Sequence, residues 1–178
     1  MAFDPQLAQT ISLEGRVAVI TGAASGFGAE ASRLFAQAGA RVVLADVNEA
    51  GASATAAQVR ESGGDACVMR TDMARREEVD ALADAAVKEF GALDIWLNIA
   101  GVSVWKSIFE TRPEDAERIM AVNTMGVYWG CAAAGRIMQA QDRGGAIVNI
   151  SSAGGASPVA GLAPYCMSKA AVNMLTKV

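Results

Sequence analysis

A regular change of hydrophobic period governs what this chain can become. Short apolar runs rich in β-branched residues alternate with stretches of helical spacing. "RVAVIT" (Arg16–Thr21) reads as the first strand. A helix over Gly26–Ala38 follows, closed by Gly39 as its C-cap. "RVVLAD" (Arg41–Asp46) is the second strand, and a helix over Glu49–Ser62 stops at Gly63-Gly64. "ACVMRTD" (Ala66–Asp72) is the third strand, before a helix over Arg75–Phe90 that ends at Gly91. "LDIWLNIAG" (Leu93–Gly101) is a fourth strand running into a turn. A long helix is expected from about Pro113 to Gln141, with Pro113 at its start and Thr111 paired with Glu114 in a capping box. Gly144-Gly145 lead into a fifth strand, "AIVNIS" (Ala146–Ser151), and a last helix begins near Ala163. This alternation implies parallel strands joined by right-handed crossovers. Near-continuous apolar strands imply a sheet covered on both faces. The expected fold class is therefore α/β, a doubly wound parallel sheet. No linker, repeat or low-complexity segment divides residues 1–178, so one domain is expected.

Composition narrows the function. With 52% hydrophobic and 19% charged residues the chain reads as globular. A net charge of −4 argues against a nucleic-acid partner, which would need a basic face. No apolar stretch reaches the ~20 residues that span a bilayer. "MAFDPQLAQTISLEGR" lacks the basic patch and apolar run of a secretory signal. Cys67, Cys131 and Cys166 form no metal spacing and no disulfide framework, so a reducing, cytoplasmic setting and no metal are expected. Histidine is absent, which excludes a Ser-His-Asp triad, an HExxH zinc site and any histidine base.

The unusual residues gather at the carboxyl ends of the strands, where ligands bind in such folds. "TGAASGFG" (Thr21–Gly28) joins the first strand to the first helix. Its glycines allow a tight turn and close approach to a pyrophosphate, and the helix N-terminus offers free N–H groups. The spacing is G-x-x-x-G-x-G, so it is neither the common G-x-G-x-x-G fingerprint nor a P-loop. A plain glycine-rich turn is the competing interpretation. Asp46 ends the second strand, 24 positions after Gly22, where its carboxylate can accept from adenosine ribose hydroxyls and repel a 2′-phosphate. That favours NAD over NADP. Asp46 could equally turn the chain into the next helix. Asp72 could bond an adenine edge or cap the helix that follows.

With these motifs in order, the chain from Leu13 to Val178 resembles the short-chain dehydrogenase/reductase family, classical type. "TGAASGFG" is similar to the family's nucleotide turn, and "NIAG" (Asn98–Gly101) to its NNAG element, with Ile99 replacing the second Asn. Asn123 in "VN" matches the catalytic Asn. Ser152 lies 13 residues before Tyr165, and "YCMSK" fits Y-x-x-x-K. The resemblance implies a Rossmann-like sheet in the order 3-2-1-4-5. It also implies a cofactor site made from Gly22, Ser25, Gly26, Phe27, Gly28, Asp46, Asp72, Met73, Asn98, Ala100 and Gly101, joined by Tyr165 and Lys169. Physically, residues four apart share one helix face, although the pair could instead be a core tyrosine and a solvated surface lysine. A free tyrosine titrates near ~10, and a neighbouring ammonium favours the phenolate.

The implied roles are specific. Tyr165 donates a proton in carbonyl reduction and accepts one in alcohol oxidation. Ser152 holds the substrate oxygen, with Ser151 its rival. Lys169 also holds the nicotinamide ribose, and Asn123 anchors a water. Asn123 could instead be a buried polar residue bonded to backbone. Val102, Val104, Trp105, Pro158, Val159 and Leu162 suggest a modest apolar secondary alcohol or ketone as the small-molecule substrate; core or subunit interface is the equal alternative for them. The family continues past the last helix with further strands and a substrate-covering segment. The chain is thus expected to be part of a longer protein, or a short form, with an exposed edge at the fifth strand. A homodimer or homotetramer is implied for the complete protein. The rival reading, from another class, is a nucleotide-binding module or inactive remnant without turnover.

Overall fold

The structure, a computed structural model, describes residues 11–178. The start of the N-terminal segment read above for a signal lies outside the described residues. Five strands form one parallel sheet in the order β3-β2-β1-β4-β5, as expected. They are β1 (Val17–Thr21), β2 (Arg41–Asp46), β3 (Ala66–Arg70), β4 (Ile95–Asn98) and β5 (Ala146–Asn149). Val17–Thr21 pairs with Arg41–Ala45 on one side, and Ala18–Ile20 with Ile95–Leu97 on the other. The sequential order reverses between β1 and β4, which opens the switch-point crevice there.

Period-two alternation sends successive residues of β1 to opposite faces. Ala18 and Ile20 join Val42, Leu44, Ala52, Ala56 and Val59 on the face covered by α1 (Gly26–Gln37) and α2 (Glu49–Glu61). Val17 and Val19 join Val43, Val79, Leu82, Ala134 and Ile137 on the face covered by α3 (Arg76–Phe90) and α5 (Val127–Ala140). Each fully buried aliphatic side chain such as Ile20, Leu44 or Leu82 stabilises the fold by about 1.5–3 kcal/mol.

β1 and β2 end where expected, whereas β3, β4 and β5 stop two or three residues sooner, because there the backbone leaves the ladder to build loops at the carboxyl edge. The long helix is also interrupted. α4 (Pro113–Met120) and α5 are joined by a π-helical turn over Ala121–Gly126. Pro113 opens α4 as expected, but the Thr111–Glu114 capping box does not form. Arg112 occupies the cap position without a side-chain cap bond, and Thr111 Oγ1 donates back to Ser107 O at 2.9 Å. The last helix, α6, runs over Ala163–Leu175. β5 has one neighbour, β4, and Val148 is 44% exposed, so the expected edge is present. Among the described residues no helix is long and apolar enough to cross a membrane.

Candidate active site

Loops at the carboxyl ends of β1 to β4 enclose a cavity of about 370 Å³. Gly22 has φ +71°, and a Cβ there would stand 2.9 Å from both Cα and N of Ala100. A side chain is therefore excluded by conformation and by contact alike. A Cβ on Gly28 would overlap the Gly22 carbonyl oxygen, so α1 packs directly on the turn. Thr21 fixes the opposite wall. Its buried hydroxyl donates to Leu97 O at 3.1 Å and accepts from the N–H groups of Ile99 and Ala100 at 3.0 and 3.1 Å. One donor and two lone pairs are thereby all engaged. Ser25 caps α1 without a side-chain bond and lines the cavity, and α1 carries no acidic residue in its first turn. This helix start suits an anion.

Asp46 combines its two readings. Its oxygens accept from Ala24 N at 3.0 Å and Asn48 N at 2.9 Å, which sets the turn, and the side chain also lines the cavity. Each oxygen keeps a lone pair for a further donor. Asp72 does not cap the helix that follows, whose cap position is Arg75. Its carboxylate accepts from Ala74 N at 3.0 Å and from Arg118, which reaches over from α4. Burial works against the charge, but these bonds outweigh it and hold Asp72 below the usual carboxylate range. A close backbone cradle, a helix start free of acids and two carboxylates lining one cavity fit a dinucleotide.

The residues expected to serve proton transfer gather near Gly101 and Gly154. Lys169 is 4% exposed, and its Nζ donates to Ile150 O at 2.6 Å. Nζ stands 5.8 Å from the Tyr165 ring centroid and within 3.8 Å of the Cβ position of Gly101, in the cavity wall. Desolvation lowers the pKa of this buried ammonium. Ser152 Oγ and Tyr165 Cε1 flank Gly154, at 3.5 and 3.7 Å from its Cβ position. Ser152 Oγ accepts from Gly154 N, whereas Ser151 Oγ donates to Lys169 O. The geometry thus favours Ser152 over Ser151 as the free donor.

Asn123 sits in the π-helical turn, fully buried. Its side chain pairs with both backbone groups of Val102 and donates to Ser168 Oγ at 3.2 Å. These contacts match the alternative given for it, a buried amide bonded to backbone, with one further bond to a side-chain hydroxyl. Asn98 departs further from expectation, since it does not line the cavity. It is 2% exposed, accepts from Trp96 Nε1 at 2.7 Å and donates to Asn149 Oδ1 at 2.8 Å. Its position on β4 points it toward α5 and β5, where it ties the sheet together.

The cavity therefore brings together Gly22, Ser25, Phe27, Gly28, Asp46, Asp72, Met73, Ala100 and Gly101. Gly26, Asn98, Tyr165 and Lys169 are not among its lining residues. Thr21 and Arg118 were missed by sequence reading. A hydroxyl just before the first glycine was a usable signal for Thr21. Arg118 carries none, because its partner is 46 positions away.

The comparisons agree with this geometry. The model of the short chain dehydrogenase family matches residues 16–178, and the chain belongs to that family. It is 39% identical over 157 residues to the probable oxidoreductase EphD of Mycobacterium tuberculosis, covering 88% of this chain and 26% of that protein. It is 40% identical over 166 residues to the 2,5-dichloro-2,5-cyclohexadiene-1,4-diol dehydrogenase LinX of Sphingobium indicum, covering 93% and 66%. A short-chain dehydrogenase/reductase from Burkholderia phymatum, solved in complex with NAD, superposes with a TM-score of 0.91 at 37% identity, covering 93% of this chain and 59% of that one. The chain thus spans about a quarter of the first relative and about two thirds of the second.

Proposed function

We propose that the chain carries the cofactor site and proton-transfer groups of an NAD-dependent oxidoreductase that interconverts a secondary alcohol and a ketone. One arrangement carries this reading: Tyr165 and Lys169 share a face of α6, with the buried Lys169 ammonium between the tyrosine ring and the cavity wall at Gly101. When bound, the nicotinamide supplies the centre that takes or gives the hydride. The chain's own residues do the rest. Tyr165 Oη moves the proton to or from the substrate oxygen. The Lys169 charge stabilises the oxyanion left as that proton departs. Ser152 Oγ donates to the substrate oxygen as charge develops on it. Asp46 takes the ribose hydroxyls and opposes a 2′-phosphate, which supports NAD over NADP. Exposed Met125, Tyr128, Met167 and Met174 on the surfaces of the π-helical turn, α5 and α6 support a homodimer or homotetramer of the complete protein. Free Cys67, Cys131 and Cys166 support a cytoplasmic setting.

One observation favours the rival reading of a nucleotide-binding module: Ser152, Tyr165 and Asn123 do not line the cavity. A nicotinamide absorbance assay over secondary alcohols separates the two. Turnover in the parent chain that falls about a thousandfold or more in Tyr165→Phe supports the enzyme. NAD binding without turnover supports the module. A titration in which NADP binds more tightly than NAD would overturn the role given to Asp46.

A further inference from the structure

The Asp72–Arg118 pair has no place in the reaction described above, yet both residues line the cavity. Arg118 Nη1 donates to Oδ1 at 3.2 Å and to Oδ2 at 3.0 Å, bridging α4 to the loop after β3. We propose that Arg118 is a positioning residue for base recognition: it fixes both carboxylate oxygens of Asp72 against the cavity and so makes this end selective for a purine with an exocyclic amino group. The proposal rests on reading the cavity as a nicotinamide adenine dinucleotide site.

Three observations carry it. Val47, Met73 and Val122 line the same cavity and offer apolar surface to a flat ring. Asp72 adds a carboxylate to that lining. A carboxylate in this state only accepts hydrogen bonds, so it matches an amino group and opposes a keto oxygen. Finally, the hold on Asp72 is divided. Ala74 N–H secures Oδ1, while among the described residues Arg118 alone reaches Oδ2. Without Arg118 the carboxylate is free to turn about its last torsion toward water. The side chains are 45% and 19% exposed, and a pair so open to water contributes little to stability. Its consequence is orientation.

The test is direct binding. NAD and its hypoxanthine analogue, in which a keto oxygen replaces the amino group, are titrated against the parent chain and against Arg118→Met, Arg118→Lys and Asp72→Asn. The quantity read is the ratio of the two dissociation constants, which a general loss of affinity does not move. The parent chain is expected to prefer NAD by about tenfold or more, the worth of one charge-assisted hydrogen bond. Arg118→Met and Asp72→Asn should reduce the preference to about threefold or less, and Arg118→Lys should fall between. Should Arg118→Met not fold, Arg118→Lys decides: a preference equal to the parent's sinks the proposal. An unchanged ratio in Arg118→Met, or a parent chain that binds both dinucleotides equally, also overturns it. A parent chain that binds neither removes the cofactor reading itself, a separate outcome.

Discussion

Around β1 the crevice is shaped by backbone sealed inside the sheet; beside β5 it is shaped by side chains leaning on an edge. All five residues of β1 are fully buried, and the Gly22–Gly28 turn leaves no room for a Cβ at either end. β5 exposes Ala146 and Val148, and the segment bearing Ser152, Tyr165 and Lys169 is held to it by individual bonds. These are Lys169 Nζ to Ile150 O, Ser151 Oγ to Lys169 O, and Asn149 Nδ2 to Thr176 Oγ1. Steric exclusion fixes the first region and a few polar anchors fix the second. Damage to the first should abolish it outright, whereas damage to the second should misplace it by degrees.

The strongest challenge to that contrast is Gly28→Val. The new side chain meets the Gly22 carbonyl, and overpacking of this kind destabilises by about 3 kcal/mol. Thermal melting should show the loss, and NAD titration should show no binding. A variant that melts and binds like the parent would show that the turn yields.

Asn98→Leu probes the boundary between the regions. It strands Trp96 Nε1 and leaves Asn149 Oδ1 with only the weak Cys131 thiol donor, with an expected loss of about 2 kcal/mol in denaturant unfolding. NAD affinity should stay within about threefold, because the side chain faces away from the cavity. A selective loss of NAD affinity at unchanged stability would restore Asn98 to the cofactor site.

Lys169→Met gives the smallest change, read as a pH slope. Desolvation depresses the ammonium's folded pKa below its unfolded value, near ~10.5. Between those two values the unfolded chain binds a proton that the folded chain has shed, so stability rises with pH. Below the folded pKa both states are charged and this contribution is flat. Relative to Lys169→Met, the parent should therefore gain stability as pH climbs toward 10.5, measured by urea unfolding across that range. A parallel pair of curves would mean that the Lys169 charge is not desolvated.

The same contrast explains what the sequence could reveal. Strand order, the glycine turn and Asp46 follow from periodicity and local spacing, which are properties of neighbours along the chain. The pairing of Tyr165 with Lys169 is likewise one turn of helix. That Asn98 lies outside the cavity lining depends on which face of β4 meets α5 and Asn149, a matter of tertiary register. Arg118 was invisible for the same reason, as was the choice of Asp72 to bond Ala74 and Arg118 in place of capping a helix. The Thr111 cap failed because the helix takes Arg112 as its cap residue, while Thr111 belongs to the preceding turn, where its N–H and hydroxyl both donate to Ser107 O.

The π-helical turn at Ala121–Gly126 has a consequence for the molecule's tolerance to length change. One residue advances an α-helix by about 100°. The wide turn therefore works as a phase shifter between Arg118 upstream and Ala133, Ala134 and Ile137 downstream. It also seats Gly126 on Met73, where a Cβ would stand 2.7 Å from the Met73 carbonyl oxygen. Deleting a single residue here would regularise the helix and still be harmful. Either the core stripe of α5 or the cavity-facing Arg118 would then swing to the wrong side, and Asn123 would leave Val102.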